Sequence, residues 1–453
     1  MLVSTNPFNG EILKEYHFHS ALEQDVLIST AQQAFSSFKN TSFEERARLF
    51  CDCAENLRIQ KLDLAKLITA EMGKPIQEAI AEVEKCAQVC EYYADNAEDF
   101  LAEESIDSDA GISYVRYEPI GVVLAIMPWN FPFWQVFRFA APTVMAGNTV
   151  LLKHASNVPQ CAEAIEKLFI ASGFPKGIFS NIFCKSEEVK NIISNSTIKA
   201  VTITGSEKAG ASVAENAGKH LKKTVLELGG NDAFIVLADA DLALAVTTAI
   251  KSRLSNAGQS CIAAKRFIIE ASVMEKFTTL LIEKIKEIII GNPIESTTQM
   301  ATLARNDLAK EVHLQVSQCI KDGATLLYGT NSYIEGTANY SPVVLGNINN
   351  ETLAYHEEIF GPVFSIMAVA NETEAIAIAN DSKFGLGASI WTADLEKGMA
   401  LAKEIEAGAV FINGLVKSDP RLPFGGIKNS GYGRELSLWG IMEFVNAKTV
   451  WVK

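Results

Sequence analysis

Four short segments carry residues that could do chemistry. In GQSCIA (258–263), a turn containing Gly258 leads into Cys261. A thiolate is a strong nucleophile, and backbone amides around such a turn can lower the pKa of a thiol. A lone cysteine is more often a packing residue, and this segment alone does not separate the two readings. LELGGND (226–232) sets Glu227 at the end of a predicted buried strand, just before Gly229-Gly230. A carboxylate there is costly unless it is used or paired. The alternative is a cap on the next helix. MPWNFP (127–132) brackets Trp129-Asn130 with prolines that restrict the backbone. An Asn side chain held that way can donate to an oxyanion, although a structural turn around a buried Trp has the same sequence. TGSEKAG (204–210) follows a predicted strand and opens a helix, which suits phosphate or ribose binding. It is not the GxGxxG fingerprint, and alone it is a weak signal.

The elements that must position these residues follow from periodicity. Residues 21–100 read as helical, with apolar positions recurring at three and four. Short β-branched runs then alternate with helices: strands at 120–126, 149–153, 178–183, 200–204 and 224–228, with helices between them, one of them at 159–172. Such alternation predicts a parallel sheet covered on both faces, with ligands bound at the carboxyl ends of its strands. A second α/β cycle starts at strand 233–237. It continues through helix 241–256, strand 265–270 and helix 273–289 to strands near 363–369 and 409–413. Residues 104–119 read as a polar hairpin and 441–453 as a strand-forming tail of the kind that pairs with another subunit.

Bulk properties narrow the class. A chain of 453 residues predicts two or three domains. A formal charge of −14 disfavours nucleic acid and anionic membranes as partners, and means that an acidic substrate needs local cations. The most apolar stretch, 119–152, carries too many prolines and charges to span a bilayer, and MLVSTNPFNG has no secretory pattern. Eight scattered cysteines point to free thiols in a reducing, cytoplasmic compartment. Cys51–Cys53 and Cys86–Cys90 lie in helical stretches with no histidine nearby, and no HExxH pattern occurs, so no metal site is expected.

Taken together and in order, PWNFP, TGS, LELGG, GQSC 34 residues after LELGG, EEIFGP (357–362) and PFGGIKNSGYGRE (423–435) resemble the aldehyde dehydrogenase superfamily over nearly the whole chain. AIMPWNFPFWQV, LLKHASN and AAKRFIIE look closest to the short bacterial succinate-semialdehyde dehydrogenases. The resemblance implies an α/β fold with a Rossmann-type cofactor domain (1–103 and 120–228), an α/β catalytic domain (229–427) and a small β oligomerisation arm (104–119 and 428–453). It also implies a homodimer or homotetramer. By the same resemblance Cys261 attacks the aldehyde, the Asn130 side chain and the Cys261 amide hold the oxyanion, and Glu227 activates water to hydrolyse the thioester. Trp129, Lys153, Gly205, Ser206 and Leu228 map around the dinucleotide, with Glu358 and Phe360 at the nicotinamide ribose and ring.

Strictly NAD-dependent members carry a Glu three residues past the lysine. Ser156 stands there instead, which implies that NADP is accepted, or preferred, beside NAD. His154 replaces the usual proline. Arg138 falls where relatives acting on succinate semialdehyde bind the substrate carboxylate. A second arginine of some relatives is replaced by Ser255, so Ser418, Lys417 or Arg421 would have to compensate. The competing readings are a relative acting on another aldehyde, a cysteine hydrolase without redox cofactor, and a non-catalytic protein on this fold.

Overall fold

The computed structural model describes all 453 residues. The chain opens with a hairpin, β1 (Leu2–Thr5) and β2 (Ile12–Tyr16). Four helices follow: α1 (Ala21–Phe38), α2 (Phe43–Ile59), α3 (Lys61–Met72) and α4 (Ile76–Phe100). β3 (Glu104–Ser105) and β4 (Ile112–Pro119) come next. The first alternation runs β5 (Val122–Met127), α5 (Trp134–Met145), β6 (Thr149–His154), α6 (Pro159–Ala171), β7 (Phe179–Asn181), α7 (Val189–Ser194), β8 (Ile198–Thr204), α8 (Glu207–Lys219) and β9 (Lys223–Glu227).

A second alternation follows. It comprises β10 (Ala233–Val236), α9 (Leu242–Leu254), β11 (Arg266–Glu270), α10 (Ala271–Lys286), α11 (Asn306–Lys321), β12 (Thr325–Tyr328), β13 (Val343–Gly346) and α12 (Leu353–His356). It continues through β14 (Val363–Val369), α13 (Glu372–Asn380), β15 (Phe384–Gly385), β16 (Gly387–Trp391), α14 (Leu395–Ala402) and β17 (Ala409–Ile412). β18 (Ile427–Lys428), β19 (Gly431–Tyr432), α15 (Ser437–Met442) and β20 (Val445–Val452) close the chain.

The first sheet has the order β19-β9-β8-β5-β6-β7 and is parallel except for β19. Its strands are buried on both faces. Val123, Ala125 and Met127 of β5 pack into one core cluster, while Val122 and Leu124 point into another. That period of two explains why the strand reads as a continuous apolar run. The order reverses direction between β5 and β8, which leaves a crevice at their carboxyl ends. The second sheet, β12-β13-β14-β11-β10-β16-β17, is parallel except for its edge strand β12.

Three expectations need adjustment. The sequence reading names no strand at 387–391, yet β16 is a central strand beside β10. Helix 241–256 ends at Leu254, because Asn256 (φ 52°), Ala257 (φ 52°) and Gly258 (φ 77°) are all left-handed. Residues 428–453 do not form one arm. β19 pairs with β9, and α15 packs against α4 and α5. Only β20 joins β4 and β3 in the separate antiparallel sheet. No helix is long and apolar enough to cross a membrane.

Candidate active site

Cys261 lies in the loop between α9 and β11 and reaches a cavity of about 500 Å³ lined by α4, α5, α9 and the loop around Ser418. Its loop is tied down residue by residue. The Asn256 amide donates to the carbonyls of Asn130 (2.7 Å) and Gln259 (3.1 Å). Gln259 returns a bond to the Asn256 carbonyl (2.9 Å) and accepts from the Ala304 N–H (2.9 Å). The buried Lys265 ammonium donates to the carbonyls of Ser260 (3.0 Å), Cys261 (2.7 Å) and Ala263 (3.1 Å). Arg253 reaches the carbonyls of Ile359 and Gly361, joining the loop to EEIFGP. These bonds offset the cost of two consecutive non-glycine residues in the left-handed region. Gly230 is required beside the loop, since a Cβ there would sit 2.8 Å from the Cys261 carbonyl oxygen.

The Asn130 Nδ2 donates to the Gln259 carbonyl at 3.0 Å, which fixes the amide and leaves its second N–H free. The Cys261 N–H makes no hydrogen bond within the chain. His154, the departure from the family pattern, stabilises the segment around Asn130. It is buried, its Nε2 bonds the Pro132 carbonyl (2.8 Å) and its Nδ1 accepts from the Ala155 N–H (2.9 Å). Burial lowers its pKa to about 4, so it stays neutral.

Glu227 ends β9, fully buried, and neither carboxyl oxygen has a hydrogen-bond partner. Burial, then the charge of Glu435, push its pKa well above the usual carboxylate range; Arg138 and Arg434 oppose this. Gly425 allows the approach, because a Cβ there would lie 2.7 Å from the Glu227 Oε1. Burial also pushes the Cys261 thiol up to about 12, while Arg138 and Lys265 favour the thiolate.

The cofactor candidates cluster at the carboxyl ends of the first sheet. Trp129 follows β5, Lys153 lies near the end of β6 with Ser156 exposed just beyond, Gly205 and Ser206 follow β8, and Leu228 follows β9. Ser206 is the N-cap of α8, its Oγ accepting from the Ala209 N–H (3.3 Å). The Gly205 N–H donates to the Glu227 carbonyl (3.0 Å), which links this turn to the end of β9. The Trp129 and Phe360 rings meet edge to face at 5.9 Å. Glu358 is ion-paired with Lys265 at 3.1 Å, so the EEIFGP carboxylate and the nucleophile loop share one lysine.

Arg138 and Ser418 both line the cavity, but their partners differ. Arg138 is buried, forms an ion pair with Glu435 and lies over the Phe424 ring. The Ser418 Oγ accepts from Lys85 (2.7 Å) and from the Trp134 Nε1 (3.0 Å). Lys85, Lys265, Arg253, Asn256 and Glu435 were not singled out from the sequence. Glu435 sits within the quoted PFGGIKNSGYGRE segment and Lys265 within AAKRFIIE, which were the available signals.

A thiol at a cavity, an amide donor bonded to its loop and a buried carboxyl whose charge acts on it, beside the crevice of a dinucleotide-binding sheet, define a cofactor-dependent oxidoreductase. Residues 2–450 match the model of the Aldehyde dehydrogenase family, and the chain belongs to that family. It is 49% identical over 451 residues to a probable succinate-semialdehyde dehydrogenase [NADP(+)] of Synechocystis sp., covering 100% of this chain and 99% of the other. It is 45% identical to succinate-semialdehyde dehydrogenase [NADP(+)] 1 of Mycobacterium tuberculosis, covering 100% and 99%. The structure also matches a succinic semialdehyde dehydrogenase from Streptococcus pyogenes, solved in complex with NADP+, with a TM-score of 0.97, 38% identity and full coverage of both chains. The family and fold expected from the sequence are thereby established.

Proposed function

We propose that the protein oxidises succinate semialdehyde to succinate with NADP+, accepting NAD+ less well. Cys261 opens onto the cavity, Asn130 is bonded to the loop that carries it, and the charge of Glu227 acts on its thiol; this grouping carries the reaction type. The relatives named above act on this substrate by their names, and the cations at the cavity suit a carboxylate.

The residues present fit the dinucleotide. Lys153 is half-buried near a strand end and forms no ion pair, and burial lowers its pKa. Such an unneutralised cation suits a ribose phosphate. Ser156 beside it places no carboxylate against a 2′-phosphate. Gly205, Ser206, Leu228 and the Trp129–Phe360 pair would border the cofactor, with Glu358 at its nicotinamide end. The bound cofactor supplies the hydride acceptor.

In the mechanism, the Cys261 thiol passes its proton through water to bulk solvent, and its sulfur bonds the aldehyde carbon. The carbonyl oxygen becomes an oxyanion held by the Asn130 and Cys261 N–H groups. Loss of hydride from this thiohemiacetal leaves a thioester on Cys261. Glu227 then takes a proton from water, whose oxygen attacks the thioester carbon. The C–S bond breaks, and succinate leaves with Cys261 regenerated. A carboxyl whose pKa is raised by burial is a stronger base than an exposed one.

The arm strand β20 is an exposed edge, and we assign it the contact that makes a homodimer or homotetramer. All eight cysteines are free, which supports a reducing, cytoplasmic setting. The test is absorbance at 340 nm with succinate semialdehyde and butanal, each with NADP+ and NAD+. The highest kcat/KM for succinate semialdehyde with NADP+ supports the proposal. Preference for butanal rejects the substrate, and preference for NAD+ rejects the cofactor.

A further inference from the structure

Lys265 does not line the cavity, yet it is built into the loop that carries the nucleophile. It directly precedes β11, and its backbone is locked to the second sheet. Its N–H donates to the Asp232 carbonyl at 3.0 Å, and its carbonyl accepts from the Ser365 N–H at 3.3 Å. From that fixed point the side chain, 3% exposed, folds back under the loop. All three ammonium protons are used, on the carbonyls of Ser260 (3.0 Å), Cys261 (2.7 Å) and Ala263 (3.1 Å). The Glu358 Oε1 lies 3.1 Å from the same nitrogen but takes part in no hydrogen bond. It compensates the buried charge without competing for a proton.

A buried ammonium is a costly way to satisfy three carbonyls, because neutral donors could do the same. What the charge adds falls on one peptide. The Ser260 carbonyl and the Cys261 N–H belong to the same planar trans unit and point in opposite directions. Holding the oxygen against Lys265 turns the N–H away from the lysine. That N–H has no partner within the chain. A charge-assisted bond at the oxygen also draws electrons from the peptide nitrogen, which makes its N–H a stronger donor. The bond to the Cys261 carbonyl fixes the next peptide, so the residue is clamped on both sides of its Cα.

We propose that Lys265 is a positioning residue for the oxyanion: by holding and polarising the Ser260–Cys261 peptide, it aims the Cys261 N–H at the substrate oxygen and strengthens it as a donor. The proposal rests on the reading that Cys261 is acylated through an oxyanion.

Burial raises the Cys261 pKa, and the Lys265 charge opposes that rise, so a change at Lys265 alters the thiolate fraction as well. The experiment separates the two effects. The full chain, without cofactor, reacts at one pH with p-nitrophenyl acetate and with iodoacetamide. With the ester, the sulfur bonds the carbonyl carbon, an oxyanion forms and p-nitrophenolate leaves. With iodoacetamide, the sulfur displaces iodide from a saturated carbon and no oxyanion forms. Both reactions need the same thiolate, so the ratio of acylation to alkylation rate constants cancels its fraction.

Asn130→Ala, which removes the other donor, calibrates the ratio and should lower it roughly 10²- to 10³-fold. Lys265→Met and Lys265→Gln both remove the charge and should lower it roughly 10- to 100-fold, and Lys265→Arg should recover part of the loss. Glutamine keeps donors for the carbonyls, so it carries the test even if Lys265→Met does not fold. A wild-type ratio in Lys265→Gln beside a lowered one in Asn130→Ala overturns the role of Lys265 and leaves it a structural tie. A wild-type ratio in Asn130→Ala overturns the oxyanion reading itself, and the proposal with it.

Discussion

Cys261 and Glu227, the proposed nucleophile and base, lie close enough for the charge of one to act on the other, but their surroundings are opposite. Around Cys261 the backbone carbonyls are tied: Lys265 alone collects three, and Asn256 and Gln259 bond each other and Asn130. Around Glu227 the backbone is held by β8 and β19, while the carboxyl has no partner at all. The difference follows from what each group must do. Attack on a carbonyl needs a sulfur and two oxyanion donors fixed to a fraction of an ångström, so rigidity helps. A base that accepts a proton from water gains from an unsatisfied, desolvated oxygen, which a structural hydrogen bond would weaken.

The largest effect should come from the tied side. Cys261→Ala should abolish turnover with every aldehyde while leaving cofactor affinity, measured by fluorescence titration, unchanged. If Cys184 or Cys319 proved essential instead, the contrast between the two sides would lose its chemical meaning.

On the open side, Glu227→Gln should lower steady-state turnover by roughly 10²- to 10⁴-fold. A rapid burst of reduced cofactor should remain if hydrolysis is the step most impaired. The same change should stabilise the fold. The folded-state pKa of Glu227 is raised, so the wild type loses stability as pH rises above the unfolded carboxyl value of about 4.3, and the loss is complete above the folded value. Glutamine has nothing to ionise. The melting temperature of Glu227→Gln should therefore exceed that of the wild type by a margin that grows from pH 5 to pH 8. A margin that shrinks over this range would show that Glu227 is charged and partnered in solution.

Arg138 stands between the two sides. Arg138→Ala would leave Glu435 buried, unpaired and close to Glu227. Breaking such a pair costs about 3–5 kcal/mol. We expect a lower melting temperature and a loss of kcat/KM larger for succinate semialdehyde than for butanal. A loss shared equally by both substrates would show that Arg138 serves only to neutralise Glu435, against the carboxylate role that the sequence resemblance implied.

The smallest effect should lie outside both regions. Ser156→Glu places a carboxylate on the exposed loop after β6. It should cost NADP+ about 1–3 kcal/mol relative to NAD+, read as a change in the ratio of kcat/KM values. An unchanged ratio would show that residue 156 does not face the 2′-phosphate.

Much of this molecule was legible from its sequence. β-branched runs between helices announced two parallel sheets, because a strand buried on both faces can carry only apolar residues. Cys261, Glu227 and Asn130 stood out because each sits where its chemistry conflicts with bland packing: a thiol after a glycine turn, a carboxylate at a buried strand end, an amide between prolines. Tertiary structure decided what those groups work against. Lys85 meets Ser418 across 333 residues, and Asn130 meets Gln259 across 129. No local pattern encodes such pairs, since periodicity reports a residue's own element and not what a distant loop brings to it. The same limit explains Arg138. Its charge and position were visible, but Glu435, which neutralises it, comes from a segment that sequence assigned to an arm and folding placed beside β9.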